Sequence, residues 1–201
     1  WLIYRMGELM NLGSSMGWKK MFPLIFGILF LSHPIHTEAV ANIKGRDEIM
    51  CLLFSLLTAI NVLKYFDSKA LKYLILSSFC FFLALMSKEN AITFLLITPL
   101  ILVFFRGEKL LSSLRQTWFL WIVAGLFLII RTKVIGFFFD SGIKITDLMN
   151  DPLIGMYPLQ KISTIVYCVG WYLKLLVFPH PLTHDYYPYH VPKMNPTDLM
   201  T

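Results

Sequence analysis

The sequence predicts an all-α, polytopic bundle of transmembrane helices. Three observations carry that expectation. Of the 201 residues, 57% are hydrophobic and 15% charged, where a soluble domain holds about 45–50% and about a quarter. The mean hydropathy is +0.65. The apolar residues also gather into runs that approach the ~20 residues needed to cross a bilayer. This composition excludes a disordered tail, a collagenous repeat, a secreted disulfide scaffold and almost any soluble enzyme of this size.

The runs follow in order along the chain. Residues before Met10 read as the exit of a preceding helix. A first span is expected from about Met21 to Leu31, running on into Ser32-His33-Pro34. Further spans are expected over Ile49–Phe66, Leu71–Met86, Ala91–Phe105 and Trp118 to about Phe139. A sixth apolar helix, Ile162–Phe178, contains Lys174 and several aromatics and is less purely apolar. The segment Phe178–Pro192 is too rich in proline for a helix. The whole, residues 1–201, reads as part of one multi-span membrane domain within a longer protein. No charged n-region with a small-residue cleavage site announces a signal peptide.

The net charge is +6, with a pI of about 9.2. In a membrane chain that surplus marks loops beside anionic lipid rather than nucleic-acid binding, and no basic stripe interleaved with aromatics argues otherwise. One set of loops holds Arg5, Lys19, Lys20, Lys64, Lys69, Lys72, Arg106, Lys109 and Arg115, with few acids. The alternate set holds Lys44, Arg46, Lys88, Arg131, Lys133 and Lys144, diluted by Glu38, Asp47, Glu48, Glu89, Asp140, Asp147 and Asp151. The denser basic set is assigned to the cytoplasm. The mixed set then faces the periplasm or a lumen, where acids, bases and histidines lie tight against apolar runs.

Polar side chains at membrane depth are costly and are functional candidates by default. The densest group is Ser32-His33-Pro34-Ile35-His36-Thr37-Glu38, followed by Gly45-Arg46-Asp47-Glu48. Imidazoles and a carboxylate invite a zinc or manganese reading. The spacing lacks the HExxH arrangement, however, and Pro34 interrupts a regular helix. Interfacial hydrogen bonding of His33 and His36 is a second reading, and substrate contact by His33, His36, Glu38, Arg46 and Asp47 a third. Lys88 and Glu89, between two apolar runs, read either as an adjacent ion pair at the rim or as an ammonium presented to a phosphate. Arg131 and Lys133 read as snorkelling cations, with Arg131 placed deeper and able to grip a phosphate bidentately. Asp185 and Tyr186, in the proline- and tyrosine-rich segment, suit an aromatic belt or a surface that holds a sugar. Cys51, Cys80 and Cys168 each lie in an apolar run and fit no metal or redox spacing.

These residues resemble a known family. His33-Pro34-Ile35-His36-Thr37-Glu38-Ala39-Val40-Ala41, then Gly45-Arg46-Asp47-Glu48, is similar to the signature of the transmembrane and tetratricopeptide-repeat O-mannosyltransferases and their bacterial relatives. Ser87-Lys88-Glu89-Asn90-Ala91-Ile92-Thr93, Arg131, Asp151-Pro152-Leu153 and Leu182-Thr183-His184-Asp185-Tyr186-Tyr187 keep the family's order. The resemblance covers most of the chain from Phe30 to Pro192. It implies a fold like that of the C superfamily of glycosyltransferases. It also implies transfer of a mannose-like sugar from a polyprenyl-phosphate donor to a protein or glycan acceptor on the non-cytoplasmic face. Such enzymes take their general base from an acidic residue in an external loop upstream of this segment, so no catalytic base is assigned here. Tetratricopeptide repeats, which would offer partner contacts, are expected downstream.

No obligatory divalent metal, and no cofactor beyond the polyprenyl-phosphate sugar, follows from the sequence. The expected setting is a multi-pass protein of a bacterial inner membrane, or of the endoplasmic reticulum in a eukaryote. The alternative is a non-enzymatic membrane module, transporter-like or scaffolding, that binds headgroups or a partner protein. One conflict arises. Simple alternation sends Ile162–Phe178 toward the cytoplasm and takes Asp185 with it, unless that helix lies at the interface or re-enters.

The predicted topology is testable by single-cysteine labelling with a membrane-impermeant reagent, in a background lacking Cys51, Cys80 and Cys168. Cysteines at His36 and Lys88 should label from the non-cytoplasmic side, and those at Lys69 and Lys109 should be protected. The opposite pattern would invert the topology.

Overall fold

A computed structural model describes residues 1–10, 21–42, 45–135, 153–182 and 191–195. Among these residues every regular element is a helix. They are α1 (Leu2–Leu9), α2 (Met21–Ser32), a 3₁₀ turn (Pro34–His36), α3 (Thr37–Ala41), α4 (Arg46–Ser68) and α5 (Leu71–Ser87). A second 3₁₀ turn (Glu89–Thr93) leads into α6 (Phe94–Arg106), followed by α7 (Leu110–Gln116), α8 (Trp118–Ile135) and α9 (Pro158–Val177). The chain divides into two compact units. One comprises Trp1–Ser32 with Ala39–Phe139, the other His33–Glu38 with Asp140–Thr201.

In the first unit the antiparallel pair α4–α5 makes the most extensive helix contact. The reason lies in side-chain size. Cys51, Ser55, Ala59 and Val62 recur along one face of α4, and Ser77, Phe81 and Ala84 along one face of α5; all are buried. Small residues at i, i+4 and i+8 let two helix backbones approach closely, which is how helices associate where lipid removes the hydrophobic drive. The opposite faces carry exposed apolar residues: Ile75, Phe79 and Met86 on α5, and Trp118, Ile122, Leu126 and Ile129 on α8. Their helical spacing makes continuous apolar surfaces suited to hydrocarbon.

Two helices, Arg46–Ser68 and Glu89–Arg106, are long and apolar enough to cross a membrane alone. Two bent pairs pass together, Met21–Ser32 with Pro34–Ala41 and Leu110–Gln116 with Trp118–Val134, which raises the number to four. The second pair turns by 59° at its break. This departs from the five runs expected from hydropathy. The Leu71–Ser87 helix has 17 residues, about 26 Å at 1.5 Å per residue, against a hydrocarbon core of about 30 Å. The basic stretch expected as a plain loop after Arg106 also contains α7. Gly107, in the left-handed region at φ 68°, ends α6, and Leu110, Leu111 and Leu114 then supply a helical repeat.

One glycine sits where no side chain fits. Gly45 precedes α4, and a Cβ built on it would lie 2.1 Å from the carbonyl oxygen of Ala39. Its φ of −74° is open to any residue, so conformation alone would favour alanine by about 0.4–1 kcal/mol. Gly45→Ala should instead destabilise the fold by about 1–3 kcal/mol, the usual cost of overpacking. Thermal unfolding in detergent would measure this, and a variant as stable as the parent would remove the steric account of that glycine.

Candidate functional site

Three elements of the first unit bring their charged residues to one end of the helices. The start of α4 supplies Asp47 and Glu48, acids in the first turn where the helix dipole favours them. Asp47 Oδ1 accepts from the Glu48 backbone N–H at 2.9 Å. The junction of α5 and the second 3₁₀ turn supplies Lys88 and Glu89, and α8 supplies Arg131. Lys88 Nζ bonds Glu48 Oε1 and lies 3.6 Å from Asp47 Oδ2. Glu89 Oε2 accepts from Arg131 Nη1.

Lys88 and Glu89 therefore do not pair with each other, contrary to the rim-pair reading. The cause is the backbone. Lys88 has φ −156° and ψ 134°, an extended conformation in which successive side chains leave on opposite sides. Lys88 is thereby turned to α4 and Glu89 to α8, so one dipeptide ties two helices. The hydrogen bond that Lys88 donates to Glu48, and then the nearby charges of Glu48 and Asp47, hold its ammonium above the usual range against some desolvation. The lysine is cationic throughout the neutral range.

Beside these charges lies a groove of about 440 Å³. Leu85, Met86, Phe127, Ile130 and Val134 give it apolar lining, and Lys88, Glu89, Asn90 and Arg131 line it with polar and charged groups. The side chains of Lys88 and Arg131 are 29% and 33% exposed, so both cations can be reached from outside. Arg46 is exposed at the same helix start and pairs with no carboxylate among the described residues.

The other end of these helices holds a separate set. Arg106 grips Asp67 with two hydrogen bonds, Nε to Oδ1 at 2.9 Å and Nη2 to Oδ2 at 2.8 Å. Lys69 Nζ donates to Gln116 Oε1 at 2.7 Å. Of the two charge sets, Asp47, Glu48 and Lys88 thus fall at one end of α4, and Asp67, Lys69 and Arg106 at the other.

In the second unit, His33 caps the first 3₁₀ turn. Its Nδ1 accepts from the Ile35 N–H at 3.3 Å, and its Nε2 lies 3.0 Å from the Leu176 carbonyl oxygen. An accepting Nδ1 places the proton of the neutral ring on Nε2, which donates to Leu176. Both ring nitrogens are thereby committed to backbone. The His36 ring stands edge-on to His33 with centroids 6.0 Å apart, so the proline brings the rings together through a 3₁₀ turn rather than a helix. Glu38 is exposed in the first turn of α3. Among the described residues no three His, Cys, Asp or Glu side chains gather to hold a metal ion. Asp185 and Tyr186 lie outside the described residues.

After α9 the chain returns to the start of that helix. Asn195 Oδ1 accepts from Tyr157 Oη at 3.0 Å and Gln160 Nε2 at 3.2 Å, and the Met194 N–H donates to Thr164 Oγ1 at 3.2 Å. Residues 194 and 195 therefore share the end of α9 at which it begins, whichever way that helix lies. Sequence reasoning did not single out Glu48 as a site residue. Its signals were its place in the Gly45-Arg46-Asp47-Glu48 motif and in a helix's first turn.

No family model matches the chain. Over 159 residues, 79% of the chain, it is 32% identical to a protein O-mannosyl-transferase of Caenorhabditis elegans, of which it covers 21%. Over 145 residues, 68% of the chain, it is 29% identical to the protein O-mannosyl-transferase tmtc2 of Xenopus laevis, covering 16%. A 79-residue stretch is 35% identical to human protein O-mannosyl-transferase TMTC4, covering 36% of the chain and 11% of that protein. Over most of its length the chain is similar to this O-mannosyl-transferase family. It spans about a tenth to a fifth of the length of these family members. No solved structure matches it. Two to four of its helices are long and apolar enough to cross a membrane, and the relatives it matches are named O-mannosyl-transferases.

The Lys88–Glu48 contact is testable by a double-mutant cycle on thermal stability with Lys88→Met and Glu48→Gln. A partly exposed pair should give a coupling of about 0.5–1 kcal/mol. Because the folded-state lysine is raised above its unfolded value, its contribution is complete below the unfolded value near 10.4 and is lost only as pH climbs through the higher folded value. The coupling should therefore be constant between pH 6 and 9. A coupling that vanished within that interval would assign the contact to another group.

Proposed function

We propose that the first unit's charged helix ends hold the donor phosphate of a membrane glycosyltransferase. This enzyme moves a mannose-like sugar from a polyprenyl phosphate to a protein or glycan acceptor on the non-cytoplasmic face. One observation carries the reading: Lys88 and Arg131 line the same groove as five apolar side chains. A polyprenyl phosphate has the same division, an apolar chain joined to an anionic head.

The chemistry matches the charges. In the transfer, the bond between the anomeric carbon and the phosphate oxygen breaks, and its electron pair leaves with the phosphate. The acceptor oxygen forms the new bond to that carbon and gives its proton to a base. Negative charge thus grows on the phosphate while the sugar gains oxocarbenium character. Cations fixed beforehand at the phosphate stabilise that development without reorganisation. Arg131 is the principal candidate because a guanidinium can present two parallel N–H donors to phosphate oxygens, which an ammonium cannot. Arg46 and Asp47 at the start of α4 adjoin this rim and are assigned to the donor or sugar hydroxyls. Glu38, His36, Asp185 and Tyr186 are assigned to the acceptor side, with His33 fixing the turn that carries His36. The base is expected from another part of the protein.

The test is donor binding and transfer by the full-length protein reconstituted in vesicles. Arg131→Lys should weaken binding of a polyprenyl-phosphate mannose about tenfold, and Arg131→Met further, with both variants still folded. Unchanged donor binding in Arg131→Met would leave this arginine a snorkelling cation and favour the non-enzymatic membrane module.

A further inference from the structure

The rim that should attract an anion is crowded with carboxylates. Asp47, Glu48 and Glu89 face Lys88 and Arg131, three acids against two cations. Lys88 is shared by two of those acids. Arg131 has one carboxylate, Glu89, bound at Nη1. That carboxylate stands where the oxygens of a phosphate would bind, and its side chain is 59% exposed, so little but Arg131 holds it there.

We propose that Glu89 is a built-in competitor for the anion site of Arg131, occupying the guanidinium until a phosphate-bearing ligand displaces it. The inference rests on the assignment of Arg131 to the donor phosphate and adds a residue that sets how selectively that site fills. The geometry allows the exchange. Glu89 begins the second 3₁₀ turn and meets α8 through its side chain, so a rotamer change frees Arg131 without moving a helix. Lys88 has no such freedom, since Asp47 and Glu48 both face it. A weak anion, such as a zwitterionic headgroup or free phosphate, gains too little to displace a tethered carboxylate. A polyprenyl phosphate adds apolar burial in the groove and does displace it. Glu89 would then raise discrimination at the cost of affinity, a specificity obtained through a repulsive element.

The experiment uses the full-length protein in phosphatidylcholine nanodiscs, titrated with farnesyl phosphate and, separately, with inorganic phosphate. Removing a like charge at a partly exposed rim changes anion binding by roughly tenfold. Glu89→Gln should therefore bind farnesyl phosphate about tenfold tighter than the parent and acquire measurable affinity for inorganic phosphate. Glu89→Ala, which removes the hydrogen-bonding group as well, should do the same. In an Arg131→Met background, Glu89→Gln should bring no gain, because there is no guanidinium left to release. Weaker or unchanged binding in both Glu89 variants, with Arg131→Met still impaired, would overturn the competitor role and make Glu89 an orienting partner of Arg131. Loss of folded protein in both Glu89 variants would overturn it as well, by making the pair structural. Farnesyl phosphate binding that ignores Arg131→Met would instead refute the donor-site assignment itself.

Discussion

A helix in hydrocarbon must satisfy its polar groups from within, because no water is available to do so. Several buried polar side chains of the first unit follow that constraint. Buried hydroxyls turn back onto their own helix: Thr58 donates to the Phe54 carbonyl at 2.8 Å and Thr98 to Phe94 at 2.7 Å. Asn61 does likewise with Leu57 at 2.7 Å. Side chains that bond locally need no partner on a neighbouring helix. Charge is left to the helix ends, where it is paired and partly wet. The groove and its ionic rim exist because the interior has no place for them.

Much of this was legible from residue type and spacing. Apolar runs located the long helices to within a few residues, and the separation of loop charges anticipated which ends would come together. What escaped was governed by backbone angles and breaks. Lys88 and Glu89 look like a local pair because they are neighbours, and only the extended torsions at Lys88 send them to different helices. Hydropathy reads Leu71–Met86 as a span, and the helix there, Leu71–Ser87, has 17 residues, at the short end of the spanning range. The span expected from Trp118 starts at the break near Thr117, and what composition does not show is the short helix Leu110–Gln116 before it. The histidine motif was visible, yet its role in capping a 3₁₀ turn depends on a carbonyl 143 residues away.

The motifs that carry the family likeness divide by physical task. Gly45 admits the Ala39 carbonyl and so fixes how α3 leads into α4. Pro34 and His33 shape a turn. Asp47, Glu48, Lys88, Glu89 and Arg131 form a linked set in which each charge has a defined neighbour.

The two ionic clasps at either end of α4 also have a mechanical consequence. Glu48 is joined to Lys88 and Asp67 to Arg106, and the same continuous stretch of chain, from Lys88 through α6, carries both partners. Nineteen residues of helix separate Glu48 from Asp67, about 29 Å at 1.5 Å per residue, close to the hydrocarbon thickness of a typical bilayer. Fastened at both ends, α4 and α6 cannot slide past one another to follow a thicker or thinner membrane. They act as a caliper of fixed opening, so that mismatch must be met by tilt of the pair or by deformation of the lipid around it.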